Sequence, residues 1–348
     1  MRDLIVAGGG PIGLATAIHA ARAGLTVTVV EPRRGDIDKA CGEGLMPGAV
    51  HALSQLGVPM PGRPIEGIRY LDDHRVAEAR FRHGEGRGVR RTALHRALRT
   101  AAAAAGVETV HESVRRVTQV GDHVVADGRS ARFLVAADGL HSPVRRMLGL
   151  DGRPFRRRRY GLRCHVDVAP WSSFVEVYWT PDSEIYVTPV ADNQVGIAVL
   201  RTGPGAGSGT ETRSVPGVIA AVPRLVEHLA DRTLSRVRGA GPLRQHAQRR
   251  VAGRVLLVGD AAGYVDALTG EGIALGLAQA EAAVRAILLE APQRYETQAR
   301  RLGRRHDLLT RGLLGATSLP TARRHLVALA AAVPSVFESA VNQLARPT

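Results

Sequence analysis

At 348 residues the chain is longer than one ordinary domain and shorter than three, which favours one large or two interleaved domains. A hydrophobic share of 45% alternating with charged stretches excludes disorder, and no uninterrupted apolar run reaches the roughly 18 residues of a membrane-spanning helix. The net charge of +15 is carried almost wholly by scattered arginines, since Lys39 is the sole lysine; with 4% aromatics there is neither the basic stripe nor the stacking surface of a nucleic-acid binder, so the charge reads as attraction for phosphorylated small molecules.

The two cysteines, Cys41 and Cys164, cannot build a disulfide framework and fit a reducing, cytoplasmic setting. Asp3 interrupts the apolar start and argues against a signal peptide.

In chain order, Asp3 to Ala7 predicts a short buried strand, Pro11 to Ala23 a helix stopped by Gly24, and Thr26 to Val30 a second strand, together a βαβ unit. A helix is expected near Ala49 to Leu56, and Ile65 to Arg82 reads as two strands around an Asp72-Asp73-His74 turn. Thr92 to Ala105 is an alanine-rich helix. Val107 to Val117 and His123 to Val125 predict a β-meander, and Phe133 to Ala137 a buried strand. Arg156 to Arg159 reads as a solvated strand start. Tyr160 to Leu200 alternates with period two and predicts a mainly antiparallel sheet. Gly203 to Gly209 reads as a flexible loop, Val218 to Ala230 as a helix, and Arg254 to Val258 as a buried strand before a long helix. After Pro292 the chain looks helical. Its apolar part, Leu326 to Phe337, suits contact with a membrane surface or another subunit, although covering the protein's own core is the commoner use.

Gly8-x-Gly10-x-x-Gly13 falls between strand and helix. The first glycine permits the turn, the second lets a pyrophosphate reach the backbone and the third lets helix pack on strand. Glu31 ends the second strand, where a carboxylate accepts hydrogen bonds from ribose hydroxyls and repels a 2'-phosphate; the site therefore suits FAD or NAD rather than NADP. A second motif runs from Ala137 through Asp138 and Gly139 to Arg145. The third is Val258-Gly259-Asp260-Ala261-Ala262-Gly263 followed by Leu268-Thr269-Gly270-Glu271-Gly272-Ile273 at a helix start. An NAD dehydrogenase gives no reason for the third motif, whereas a flavin does.

These three ordered motifs resemble the FAD-dependent superfamily of para-hydroxybenzoate hydroxylase-like monooxygenases, geranylgeranyl reductases and flavin-dependent halogenases. The resemblance implies an α/β fold. A Rossmann-type FAD-binding domain of the glutathione reductase-like hydroxylase subfamily would comprise residues 1–62, 88–150 and 250–291. An inserted, mainly antiparallel substrate domain would comprise 63–87 and 151–249, with a C-terminal helical segment at 292–348. By the same resemblance Gly8, Gly10, Pro11, Ile12, Gly13, Glu31, Pro32 and Arg33 would hold the dinucleotide, Arg91 would contact FAD and the backbone near Val114 would meet adenine. Asp138, Gly139, Gly259 and Asp260 would serve the pyrophosphate and ribityl region. Gly270, Glu271, Gly272 and Ile273 would lie beside the flavin N1 and C2 carbonyl. An arginine at a helix start opposes the helix dipole, so an anion near Arg91 would repair a local defect.

Ala40-Cys41-Gly42-Glu43-Gly44-Leu45-Met46-Pro47 most resembles the geranylgeranyl reductase branch, which places this loop beside the isoalloxazine and makes Cys41 the candidate catalytic residue. Met46, Tyr186, Thr188 and Pro189 are the candidate substrate contacts. The catalytic lysine and tryptophan-rich motif of the halogenases are missing, and Glu184 and Thr188 stand where prenyl reductases carry aromatics. Tyr186 and Thr188 would instead present a hydroxyl-bearing wall to a polar or aromatic substrate. The leading expectation is thus an NAD(P)H-dependent monooxygenase that oxygenates a phenolic or polyketide-like metabolite through a flavin hydroperoxide. The alternative is a reductase of prenyl or other double bonds, and a nonenzymatic flavin sensor is the third reading. No metal site is expected.

Overall fold

The computed structural model describes residues 1–153, 155, 158–203, 214–268 and 270–346. The buried run Arg2–Ala7 pairs in parallel with Val27–Val30 on one side and Arg129–Ala136 on the other, with Leu4 opposite both Val27 and Phe133. The sheet extends in space from Val251–Ala252 through Val255–Leu257, Arg129–Ala136, Arg2–Ala7 and Val27–Val30 to Glu108–Val110. Its strands are apolar on both faces because both are covered. The helices Pro11–Arg22, Arg91–Ala104 and Gly272–Leu288 share one core with Leu4, Val6, Val29 and Phe133.

Three elements differ from expectation. The run Val107 to Val117 is not one strand: Glu108–Val110 pairs in parallel with Val27–Val30, and the charged stretch after it leaves the sheet. The meander consists instead of Val117–Val120, His123–Ala126 and Arg129–Ala136. The helix expected from Val218 to Ala230 is two helices, Val215–Ala220 and Pro223–Leu229, because Pro223 has no N–H to continue the first. The basic run does not begin a solvated strand at Arg159, whose side chain is 13% exposed and paired with Glu184 and Asp266. Arg156 and Arg157, the loop residues 204–209 and Thr269 lie outside the described residues.

The second sheet runs in space Arg238–Ala240, Arg159–Val166, Gln194–Thr202, Ser183–Ala191, Phe174–Trp179, Gly67–Leu71 and Val76–Arg80. It is antiparallel except where Phe174–Trp179 meets Gly67–Leu71. One face packs Ile185, Val187, Ile197 and Val199 under the short helices through Val218, Ile219 and Leu225.

The C-terminal segment folds as Gln293–Thr317, Pro320–Ala332 and Pro334–Ala345. The apolar stretch Leu326 to Phe337 is broken before Pro334, where the two helices bend by 102°. Val327 and Phe337 are buried while Leu329, Val333 and Val336 face outward. Phe337 packs on Ala77 and Ala79 of the second sheet and lies 4.7 Å from the Tyr70 ring, centroid to centroid. Among the described residues no single helix is long and apolar enough to cross a membrane. Since Phe337 seals this end of the sheet, Phe337→Ala is expected to destabilise the protein by about 3 kcal/mol in urea unfolding.

Candidate active site

A cavity of about 590 Å³ lies between the two sheets and reaches the C-terminal helices. The glycine loop forms one end. Gly8 has φ +102°, and a Cβ there would stand 2.6 Å from the Ala137 carbonyl oxygen; a Cβ on Gly13 would stand 1.9 Å from the Gly8 oxygen, so helix and strand pack on bare backbone. A Cβ on Gly10 would meet nothing within 4 Å, which leaves open space in front of the uncapped start of Pro11–Arg22.

Glu31 is buried behind this loop. Its Oε2 accepts the Gly9 N–H at 2.9 Å and its Oε1 the Arg33 N–H at 3.0 Å, while the Arg33 guanidinium forks across both oxygens. Burial alone would raise its pKa, but the hydrogen bonds from Arg33 and Gly9 outweigh that and hold it below the ordinary value. Both its oxygens are therefore engaged within the chain. His95 ties the same region together. Its Nδ1 accepts from Ile37 N–H, so its Nε2–H donates to the Gly9 carbonyl at 2.9 Å.

Of the residues singled out in the sequence, Gly10, Pro11, Ile12, Arg33, Cys41, Gly42, Glu43, Gly44, Leu45, Met46, Arg91, Asp138, Gly139, Tyr186, Thr188, Asp260, Gly270, Gly272 and Ile273 line the cavity. Gly8, Gly13, Glu31, Pro32, Gly259 and Glu271 stand behind its wall or beside it. Val114 packs against the core on the other face of the parallel sheet. Pro189 does not reach the cavity; its carbonyl lies against Gly88, where a Cβ would stand 1.9 Å away. Cys41 lies in the wall, and burial pushes its thiol above the ordinary value against the pull of Arg91.

The anion expected near the Arg91 helix start is present within the chain: Glu43 Oε1 accepts the Arg91 N–H at 2.8 Å. Lys39 Nζ sits 3.1 Å from Asp260 Oδ2. Glu271 takes the N-cap position of Gly272–Leu288 without capping it, because its Oε2 pairs with Nδ1 of His306 on a C-terminal helix at 2.8 Å. Among the described residues no group of three or more His, Cys, Asp or Glu side chains could hold a metal ion.

FAD fits the residues present. Arg91 Nε and Asp138 Oδ1, both buried on lining residues, have no hydrogen-bond partner among the described residues. A buried donor and a buried acceptor left in this way at the cavity wall suit a polar ligand. The helix starts at Pro11 and Gly272 add uncapped amides suited to negative charge.

Sequence reasoning missed several buried polar side chains. His95 shares a helix face with Leu94, Leu98 and Ala102, and that phase was the available signal. Glu184 is in phase with Tyr186 and Thr188, yet its partners Arg159 and Arg323 are remote in sequence. Arg159 also binds Asp266, just before the flavin-side helix. Arg163 and His165 lie behind Glu43.

A family model described as FAD binding domain matches residues 1–293, and the chain belongs to that family of FAD-dependent oxidoreductases. It is 30% identical over 329 residues to a menaquinone reductase of Mycobacterium tuberculosis, covering 79% of this chain and 74% of that one. It is 29% identical over 306 residues to the chloroplastic geranylgeranyl diphosphate reductase of Oryza sativa, covering 77% and 62%. Among solved structures, the Diels-Alderase PyrE3 of pyrroindomycin biosynthesis superposes with a TM-score of 0.78 at 21% identity over 99% of this chain and 80% of that one. A triple mutant of the flavin-dependent brominase Bmp2 gives 0.80 at 15% identity over 99% and 94%. These two structural likenesses establish the fold.

Two outcomes follow from the site. Glu31→Gln should weaken FAD binding about tenfold or more, read by flavin fluorescence, because it removes charge-assisted acceptors. Burial lifts the Asp266 carboxyl to about 6, against Arg159 and with Glu184 adding to the lift. Because this folded value exceeds the ordinary 3.8, the group's stabilisation is complete below the ordinary value and is lost as pH rises through about 6. Asp266→Asn should therefore flatten the decline in unfolding free energy between about pH 4 and about pH 7 by about 3 kcal/mol.

Proposed function

We propose that this FAD-dependent oxidoreductase reduces a carbon–carbon double bond in an apolar, isoprenoid-like small molecule, with NAD(P)H as the electron donor. The observation that carries the reading is the uneven chemistry of the cavity. Its charged lining residues, among them Lys39, Glu43, Arg91, Asp138 and Asp260, come from the loops and helix starts around the parallel sheet, and none of them from the second sheet or the C-terminal helices among the described residues. The second sheet and the C-terminal helices contribute Ile68, Tyr70, Val175, Val177, Leu313 and Leu344. Walls of this kind desolvate an apolar chain and offer little to orient a polar ring.

The hydroxyls that favoured a polar substrate are already engaged. Tyr186 Oη donates to the Leu268 carbonyl at 3.2 Å and Thr188 Oγ1 to the Gly42 carbonyl at 2.8 Å. Likeness to a menaquinone reductase and a geranylgeranyl diphosphate reductase supports the same reading over oxygenation.

Reduced FAD, when bound, supplies the hydride equivalent. The chain's own contribution is to exclude water, to place amides at the Gly272 helix start where negative charge is stabilised, and to provide a proton. Burial keeps the Cys41 Sγ protonated at neutral pH. We assign to that atom the proton taken by one carbon of the double bond while the other receives the hydride.

Protein reduced without oxygen and given a menaquinone or a geranylgeranyl lipid should form a product that, after reoxidation of any quinol in air, remains heavier by two hydrogens on the isoprenoid chain. Turnover that requires oxygen and inserts an oxygen atom would overturn the proposal. Cys41→Ala should slow the reduction by about 100-fold or more while FAD remains bound, as single-turnover absorbance would register.

A further inference from the structure

Behind the wall loop Cys41 to Leu45 runs a chain of buried polar groups that the chemistry above does not use. Glu43 has a left-handed backbone, φ +58°, which a glutamate adopts where its surroundings hold it. Its carboxylate is held at both ends. Oε1 accepts a hydrogen bond from the Arg91 N–H at 2.8 Å and Oε2 accepts one from His165 Nε2–H at 2.6 Å. The Glu43 carbonyl accepts from Val89 N–H at 2.9 Å.

The far side of His165 fixes its tautomer. Arg163 Nη1 lies 3.0 Å from His165 Nδ1, and a guanidinium only donates, so Nδ1 carries the lone pair and Nε2 the hydrogen. Arg163 is anchored in turn on Asp38, which Arg238 also binds. Arg163, His165 and Glu43 are 2%, 4% and 6% exposed. Polar groups at such depth are costly unless their hydrogen-bond partners stay in place.

We propose that His165 and Arg163 are positioning residues for FAD binding: through the Nε2–H of His165 they hold the Glu43 carboxylate against the Arg91 helix start and the loop 41–44 in its left-handed turn. Cys41, Gly42 and Gly44 then stand in the cavity wall, and the helix Arg91–Ala104 keeps an anion at its start. The other charged and titratable groups facing Glu43 are Arg90, whose Nε is 3.8 Å from Oε1, Arg91 on the same helix start, and Cys41 on its own loop. The strand Gln194–Thr202 presents Gly196 there, where a Cβ would stand 3.0 Å from Oε2.

His165→Leu removes the donor and leaves Oε2 buried and unmatched, so the loop 41–44 loosens. Fluorescence titration of the apoprotein with FAD should give a dissociation constant about tenfold above wild type. In a Glu43→Ala background, where no carboxylate remains to be held, His165→Leu should add less than about twofold, and in the wild-type background His165→Gln, which offers an amide N–H, should restore affinity to within about threefold. A loss equal in both backgrounds would assign His165 to packing and overturn the proposal, as would unchanged affinity. If His165→Leu does not fold, Arg163→Met should show the same dependence on Glu43 at smaller amplitude; an equal loss in both backgrounds there is equally fatal.

Discussion

Three helices begin at the wall of one cavity, and none has a side-chain cap or an acidic residue in its first turn. They are Pro11–Arg22, Arg91–Ala104 and Gly272–Leu288. Each start carries unmet N–H groups and about half a positive charge, so their convergence creates a field that only an anion can balance. Acidic side chains near the cavity are spoken for elsewhere: Glu31 by Gly9 and Arg33, Glu271 by His306, Asp260 by Lys39. Glu43 alone among these four reaches a helix start, at Arg91. The remaining two starts and the unpartnered Arg91 Nε await a ligand that brings its own negative charge, which a dinucleotide pyrophosphate and a reduced flavin both do.

The two halves of the cavity are joined by hydrogen bonds between distant parts of the chain. Thr188 of the second sheet holds the Gly42 carbonyl, Tyr186 holds the Leu268 carbonyl, and His165 holds Glu43. These bonds fix the wall loops from the side of the inserted sheet. The half of the cavity formed by the second sheet can therefore be lined with apolar side chains without leaving loop carbonyls buried and unsatisfied. An apolar chamber next to a charged groove also strengthens electrostatic interactions along their boundary.

Local patterns carried much of this architecture in the sequence. Gly8, Gly10 and Gly13 with Glu31 form a short-range signature, and runs such as Arg2–Ala7 announce a strand covered on both faces by their composition. The missed features depend on partners remote in sequence. Val107 to Val117 carries no mark of whether it joins a meander or the edge of a parallel sheet; pairing with Val27–Val30 decides it. Arg159 looks like one of a solvated basic run until Glu184 and Asp266 are brought to it. Pro223, by contrast, is a local signal that the expectation of one helix from Val218 to Ala230 passed over. The anion called for by the arginine at the Arg91 helix start was legible as a need, but that Glu43 meets it depends on how the loop 41–44 folds back.

The cluster of Arg323, Glu184, Arg159 and Asp266 shows why the C-terminal helices sit where they do. Arg323 of Pro320–Ala332 donates to Glu184 Oε1 at 2.6 Å and to the carbonyls of Thr180 and Ser183; Arg159 bridges Glu184 to Asp266, two residues before Leu268 in the cavity wall. Desolvating four charges gives back much of what their attraction provides, so the cluster is a weak source of stability. Its value is directional. Packing Phe337 and Val341 on Ala77 and Ala79 would tolerate small shifts of the helices along the sheet, whereas a guanidinium bonded to one carboxylate and two carbonyls tolerates far less. Leu313, Val341 and Leu344 are thereby held at one register over the cavity, and the shape of the apolar chamber is set by an ion cluster that does not line it.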